Sequence, residues 1–288
     1  MNWLKKIFDH GSAPAQPAPP SEPESVFSIP ELRAKFGHLS RPAVHLRPAR
    51  HSRFSKLGGL PLLPADAQWP VWNDKPQSFL AQLDLAEIHA ALPSFLPATG
   101  CLYFFYDQDQ GAWGFDPDDS GSWRVLYATG DRSTFKERPA PEGLAPEFIY
   151  KEKPVAARCI ELLPHDHGLT RSSEETWDNY AELRGAPFEG MHHHQMLGYP
   201  APVQNDDMEL ECQLASKGIY VGTSAGYKDP RVDALKEGAA DWKLLLQLDT
   251  DDDTGWMWGD AGTLYFWIRE QDAAKGDFSK VWMVFQCS

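Results

Sequence analysis

Two segments carry the side chains best suited to chemistry. His192, His193 and His194 are consecutive, and in an extended segment His192 and His194 face the same side, so a carboxylate such as Asp206 or Glu209 could join them around zinc. The second segment is the acidic turn Asp249-Thr-Asp251-Asp252-Asp253-Thr-Gly255, which continues through Trp256, Met257, Trp258 and Gly259 to Asp260. Its acids fall where a calcium loop places its first, third, fifth and twelfth ligands. The loop glycine comes one place late, however, the last acid is Asp instead of Glu, and the flanks read as strands instead of helices. His192, His194, Asp251 and Asp253 are therefore the candidate ligands for a divalent cation, the set a metal-dependent hydrolase would use. The plain alternative is a polar loop beside a hairpin turn.

A second group of residues recurs. Gln82 and Asp84 end one apolar run (FLAQLD), and Gln247 and Asp249 end another (LLLQLD). A buried Gln must have its amide satisfied, so each is either an internal strut or a recognition group in a cleft. Trp256 and Trp258 precede the tight turn Gly-Asp260-Ala-Gly, and Trp69 lies in a Gly- and Pro-dense path over 55–76. We take Trp69, Gln82, Asp84, Gln247, Asp249, Trp256, Trp258 and Asp260 as candidate ligand- or partner-binding residues, with Asp260 as a polar anchor at a pocket mouth. The sequence contains no Gly-x-Ser-x-Gly, no phosphate-cradling glycine loop and no paired-cysteine motif.

The elements that must position these groups also come in two copies. Each Gln-Leu-Asp run is followed, after a connection, by a glycine (Gly100; Gly262) that opens an aromatic strand around Leu-Tyr-Phe. The proline-rich stretch HHHQMLGYPAPVQ loosely echoes GGLPLLP ahead of the first copy. Period-two alternation and apolar runs predict strands over 43–47, 78–84, 101–106, 124–128, one or two within 148–163, 243–248, 262–269 and 280–287. Helices are expected over 28–36, 85–92, 174–184, 206–215 and 270–276. The fold class expected is α+β, predominantly β, with two pseudo-equivalent β-rich halves from an internal duplication, about 27–165 and 166–288.

Composition bounds the partners. The chain has 288 residues and a formal net charge of −14, which disfavours a phosphate backbone as partner and excludes nucleic acid from the expectation. A basic protein partner would be steered toward such a surface. No apolar run is long enough for a spanning helix and no secretory leader is evident, so the expected location is cytoplasmic. Cys101, Cys159, Cys212 and Cys287 are widely spaced and read as reduced core residues. Residues 1–26 form an amphipathic N-terminal segment, with Trp3, Leu4, Ile7 and Phe8 on one face of 1–10, followed by a Pro/Ala-rich linker. The decamer could make weak contact with a membrane or a partner.

The stretches SKLGGLPLLP, FLAQLDLAEI, GCLYFFYD, HQMLGYPAPVQ, LLLQLDTDDD, MWGDAGTLYFWIREQD and FSKVWMVFQC together resemble the YwqG-like family, DUF1963, from about Ser55 to the C-terminus. The resemblance implies a β-rich domain of two related halves, cytoplasmic and bacterial, and brings no reaction, cofactor or catalytic residue to any position. The density of tryptophan near turns (Trp69, Trp72, Trp113, Trp123, Trp256, Trp258) then favours a non-catalytic protein-interaction or binding module. The alternatives are the metal-dependent hydrolase or a small-ligand protein with a cleft between the halves.

Overall fold

Short polar punctuation between long apolar runs gives this chain a sheet with few helices. The computed structural model describes residues 26–50, 54–88, 93–165, 169 and 173–288; the expected N-terminal helix and linker, and the end of the helix expected over 85–92, lie outside them. Fourteen strands follow in order: β1 (Arg41–Pro48), β2 (Lys56–Leu57), β3 (Leu62–Leu63), β4 (Val71–Trp72), β5 (Lys75–Pro76), β6 (Ser78–Asp84), β7 (Cys101–Tyr106), β8 (Trp123–Ala128), β9 (Lys136–Glu137), β10 (Lys153–Leu162), β11 (Gln195–Leu197), β12 (Trp242–Asp249), β13 (Thr263–Arg269) and β14 (Trp282–Gln286). Ten of them make one antiparallel sheet in the order β14-β13-β12-β11-β1-β10-β2-β6-β7-β8, while β3 pairs with β9 and β4 with β5.

Counted inward from either edge, the sheet repeats one pattern: an edge strand, the aromatic Leu-Tyr-Phe strand, the Gln-Leu-Asp strand, a short strand and a long central one. The registers match as well. Gln82 faces Tyr103 and Asp84 faces Cys101, with an irregularity between Phe79 and Ala81. Gln247 faces Tyr265 and Asp249 faces Thr263, with an irregularity between Leu244 and Leu246. Both short strands end in consecutive left-handed residues, Gly58 (φ 59°) and Gly59 (φ 74°) in one, Leu197 (φ 64°) and Gly198 (φ 72°) in the other. Leu197 holds this conformation despite its Cβ, a cost of roughly 1–2 kcal/mol that glycine escapes.

The sheet curls until its two edges nearly meet. The Trp123 indole N–H of β8 donates to the Val281 carbonyl at 2.9 Å, and its ring packs edge-on against Trp282 of β14 at 4.9 Å. Inside the curl Phe104 meets Phe266 edge-to-face at 5.2 Å. All four rings are buried, and burying a large side chain of this kind contributes about 1.5–3 kcal/mol each. A single main core therefore runs through both ends of the sheet.

Helices close the ends and one flank. In α1 (Ile29–Phe36) the Ser28 backbone N–H and hydroxyl both donate to Glu31, as the capping residues predict. This helix packs on α3 (Glu174–Gly185) through Leu32, Phe36, Tyr180 and Leu183. α2 (Leu85–Ile88) follows β6, α4 (Met208–Ala215) lies against β12 and β14, and α5 (Val232–Leu235) and α6 (Glu270–Ala273) are single turns. No helix among the described residues is long and apolar enough to cross a membrane. The cysteines are free; three are buried, but Cys159 is exposed, a correction to its expected core position, because in β10 it alternates with Ile160, which takes the buried place.

Candidate functional site

Gln82 and Gln247 are struts. The Gln82 carboxamide accepts from the Leu62 N–H at 2.8 Å and donates to the Phe54 carbonyl at 2.6 Å; Gln247 accepts from Ala201 at 2.9 Å and donates to His193 at 3.0 Å. The tyrosine opposite each ties the same loop, Tyr103 to the Leu62 carbonyl and Tyr265 to the Ala201 carbonyl. Each Gln thus pins a proline-containing loop over the end of its own strand, satisfying backbone groups that the sheet leaves unpaired. Both are almost completely buried.

The acids beside them are likewise held. The Asp84 N–H donates to the Ser55 hydroxyl at 3.0 Å and its carboxylate pairs with Arg132. The Asp249 N–H donates to His194 Nδ1 at 3.2 Å. Since Nδ1 accepts, the His194 proton sits on Nε2, which donates to Asp251 at 3.0 Å. Burial holds the His194 pKa below the ordinary imidazole value.

The structure does bring His192, His194, Asp249, Asp251 and Asp253 into one cluster. His192 Nε2 lies 3.5 Å from Asp251, and its Nδ1 lies 4.0 Å from Asp249. At the centre, however, stands a lysine that sequence reasoning missed. Lys153 of β10 reaches Asp251 at 2.8 Å and Asp253 at 3.1 Å. Against the desolvation of a fully buried carboxylate, the hydrogen bonds from His194 and Lys153 prevail and hold the Asp251 pKa well below the ordinary carboxylate value. Asp251 also caps its own turn, accepting from the Asp253 N–H at 2.9 Å. Among the described residues no group of three or more His, Cys, Asp or Glu side chains is arranged to hold a metal ion. The ammonium of Lys153 supplies the positive charge these carboxylates require.

Trp256 and Trp258 depart from the expected exposed anchors. Both are fully buried, packed against Tyr150 and each other, while Met257 between them is half exposed. The alternation itself is the signal: two apolar rings spaced by one residue share a face, and that face is the core. Trp123 is buried for the same reason. Asp260 is exposed in the turn. Trp69 packs edge-on against Phe105 at 5.4 Å, its indole N–H bonded to the Gln77 carbonyl at 2.9 Å.

A substantial opening lies elsewhere. A cleft of about 790 Å³ lies where β1, β10, β11, β12 and β13 come together, with Pro93 and Phe95 beside it. Its floor is Ala43, Ile160, Leu197, Trp242, Leu244 and Trp267; its rim carries Arg41, Glu161, Glu209, Lys243 and Glu270, with the Cys159 thiol among them. A volume of this size falls within the range of small-molecule sites. Of the residues considered from sequence only Glu209 and Cys159 line it; none of the candidate ligand- or partner-binding residues, and none of His192, His194, Asp251 and Asp253, does.

The cleft has a counterpart that is closed. In β12 and β13 the floor pair Leu244 and Trp267 sit directly opposite each other. In β6 and β7 the pair at the same register is Phe79 and Phe105, and there Trp69 covers Phe105 within a compact apolar cluster. One end of the sheet is filled by an indole where the other is open.

Comparison with known proteins adds a family and no activity. No curated protein matches the chain. A family model described as a domain of unknown function, DUF1963, matches residues 55–287, and the chain belongs to that family.

Proposed function

We propose that this chain is a non-catalytic binding module that takes a small organic molecule in the cleft between β1, β10, β11, β12 and β13. The observation that carries the reading is the open, aromatic-floored cleft of about 790 Å³, at the very position that Trp69 fills at the other end of the sheet. The metal-dependent hydrolase draws less support, because Lys153 already neutralises Asp251 and Asp253.

The same comparison supports descent from one duplicated unit. Strands β2, β6, β7, β8 and β10 form one set, and β11, β12, β13, β14 and β1 the other. In the second set β1 stands where β10 stands in the first, although it precedes the set in sequence. On this reading the chain is a tandem repeat opened by circular permutation. The halves are then not contiguous stretches divided near residue 165, since β1 belongs with the second.

Nile red, a neutral apolar dye, tests the site. We expect it to bind with a gain in fluorescence and to slow modification of Cys159 by an aromatic disulfide reagent, the other three thiols being buried. Cys159→Trp, at an exposed position, should fill the cleft and abolish binding without lowering the melting temperature. A dye that binds Cys159→Trp as well as the parent, or leaves Cys159 unprotected, would reject the site.

A further inference from the structure

We infer that the cleft selects an organic cation: a molecule whose ammonium or guanidinium group meets Glu209 and Glu161 while its apolar body lies on Trp267, Leu244 and Phe95. The inference rests on the proposed binding site and names the chemistry that site recognises. Three carboxylates line the cleft against two cations. Both cations are engaged already: the Lys243 ammonium donates to the Ala240 carbonyl at 2.7 Å and lies 3.7 Å from Glu270, and the Arg41 guanidinium lies over the Tyr199 ring at 4.1 Å.

Glu209 is left without an ion pair among the described residues, although it projects from the first turn of α4 into a half-buried position. Desolvation pushes its pKa above the ordinary carboxylate value and neighbouring Asp206 adds to that, against the lowering by a hydrogen bond from its own backbone N–H and by the charges of Arg41 and Lys243. A half-buried carboxylate with no ion-pair partner and incomplete hydration is stabilised by a cation that enters. Phe95, half-buried beside the cleft, suits the same ligand, since an aromatic face attracts cations; the Trp242 ring already carries the Arg269 guanidinium at 4.7 Å. The net charge of −14 steers cations toward the protein from solution.

Three dyes separate the possibilities: thioflavin T (cationic), anilinonaphthalene sulfonate (anionic) and Nile red (neutral), each titrated against the full chain with Cys159 protection as a second readout. Thioflavin T should bind more tightly than the sulfonate dye, with an affinity that falls as salt rises. Glu209→Gln should weaken thioflavin T by about tenfold or more, the worth of one hydrogen bond to a charged group, and leave Nile red unchanged. Exposed Glu161→Gln should weaken thioflavin T by a smaller factor, and serves if Glu209→Gln folds poorly. Equal or tighter binding of the sulfonate dye, or cation affinity indifferent to both substitutions, overturns the inference while Nile red binding keeps the site. Loss of all three dyes from the parent protein removes site and inference together.

Discussion

If the two strand sets are equivalent, removing the strut from either should cost the same. Gln82→Leu and Gln247→Leu preserve side-chain volume but leave one backbone N–H and one carbonyl without a partner: Leu62 and Phe54 in the first case, Ala201 and His193 in the second. An orphaned buried polar group costs about 1–3 kcal/mol. All four groups sit under partly buried loops, so a discount to about 1–2 kcal/mol each is appropriate, for a sum of roughly 2–4 kcal/mol. The leucine recovers about 1 kcal/mol by replacing a buried amide with methyl groups. The net expectation is a loss of about 1–3 kcal/mol for each variant, or a fall in melting temperature of roughly 2–5 °C in a chain of this size. Urea unfolding followed by tryptophan fluorescence measures both, with an unchanged slope showing that the unfolded state is not altered. A difference of more than about 1.5 kcal/mol between the two variants, or a cost under about 0.5 kcal/mol for either, would refute the equivalence of the struts.

Two further outcomes follow from buried groups. His45 is 1% exposed, and burial lowers its pKa from 6.5 to about 4. The unfolded chain therefore takes up the proton first as pH falls through 6.5, and stability should decline by on the order of 3 kcal/mol between there and pH 4. His45→Phe should flatten that part of the stability–pH curve; an unchanged slope would show that His45 is not its source. Trp69→Ala should open at the first end the cleft already present at the second, costing about 2–3 kcal/mol once the core value is discounted for the partial burial of Trp69, and should add a second Nile red site in a dye titration. A stoichiometry that stays at one would show that the filled position and the open one are not counterparts.

Most of the secondary structure was legible because local pattern determines it. The runs ending at Asp84 and Asp249, the aromatic strands after Gly100 and Gly262, and the capped helix after Ser28 all lie where apolar periodicity and turn residues place them. The exposed Cys159 was misread because alternation along β10 is weak, and Trp256 and Trp258 because tryptophan density was taken as exposure when the Trp-Met-Trp spacing encodes a buried face. The cluster of His192, His194 and Asp251 was legible as a set of residue types, but its central lysine was not. Lys153 arrives from a strand about forty residues before His192 and about a hundred before Asp251, and only the pairing of β10 in mid-sheet brings it in. The cleft was illegible for the same reason. Its lining comes from five strands, two helices and a loop, none of which carries a recognisable motif.

Where the two sets agree and where they differ divides structure from specialisation. The struts, the tyrosines opposite them, the irregularity in each Gln-Leu-Asp strand and the left-handed pairs agree, and each holds the backbone. The differences are chemical. Ser55 receives the Asp84 N–H where His194 receives that of Asp249; the first connects to Glu87 at 2.6 Å and the second to the buried Asp251. Phe105 packs against Trp69, whereas Leu244 and Trp267, themselves almost completely buried, line a cleft that Glu209 and Arg41 also line. Both departures in the second set add polar or accessible groups, and both fall on the side of the sheet that β1 completes. If the two sets are copies of one unit, divergence can retain packing in both and place recognition in one, and on the function proposed above the cleft beside Glu209 is where this chain would have done so.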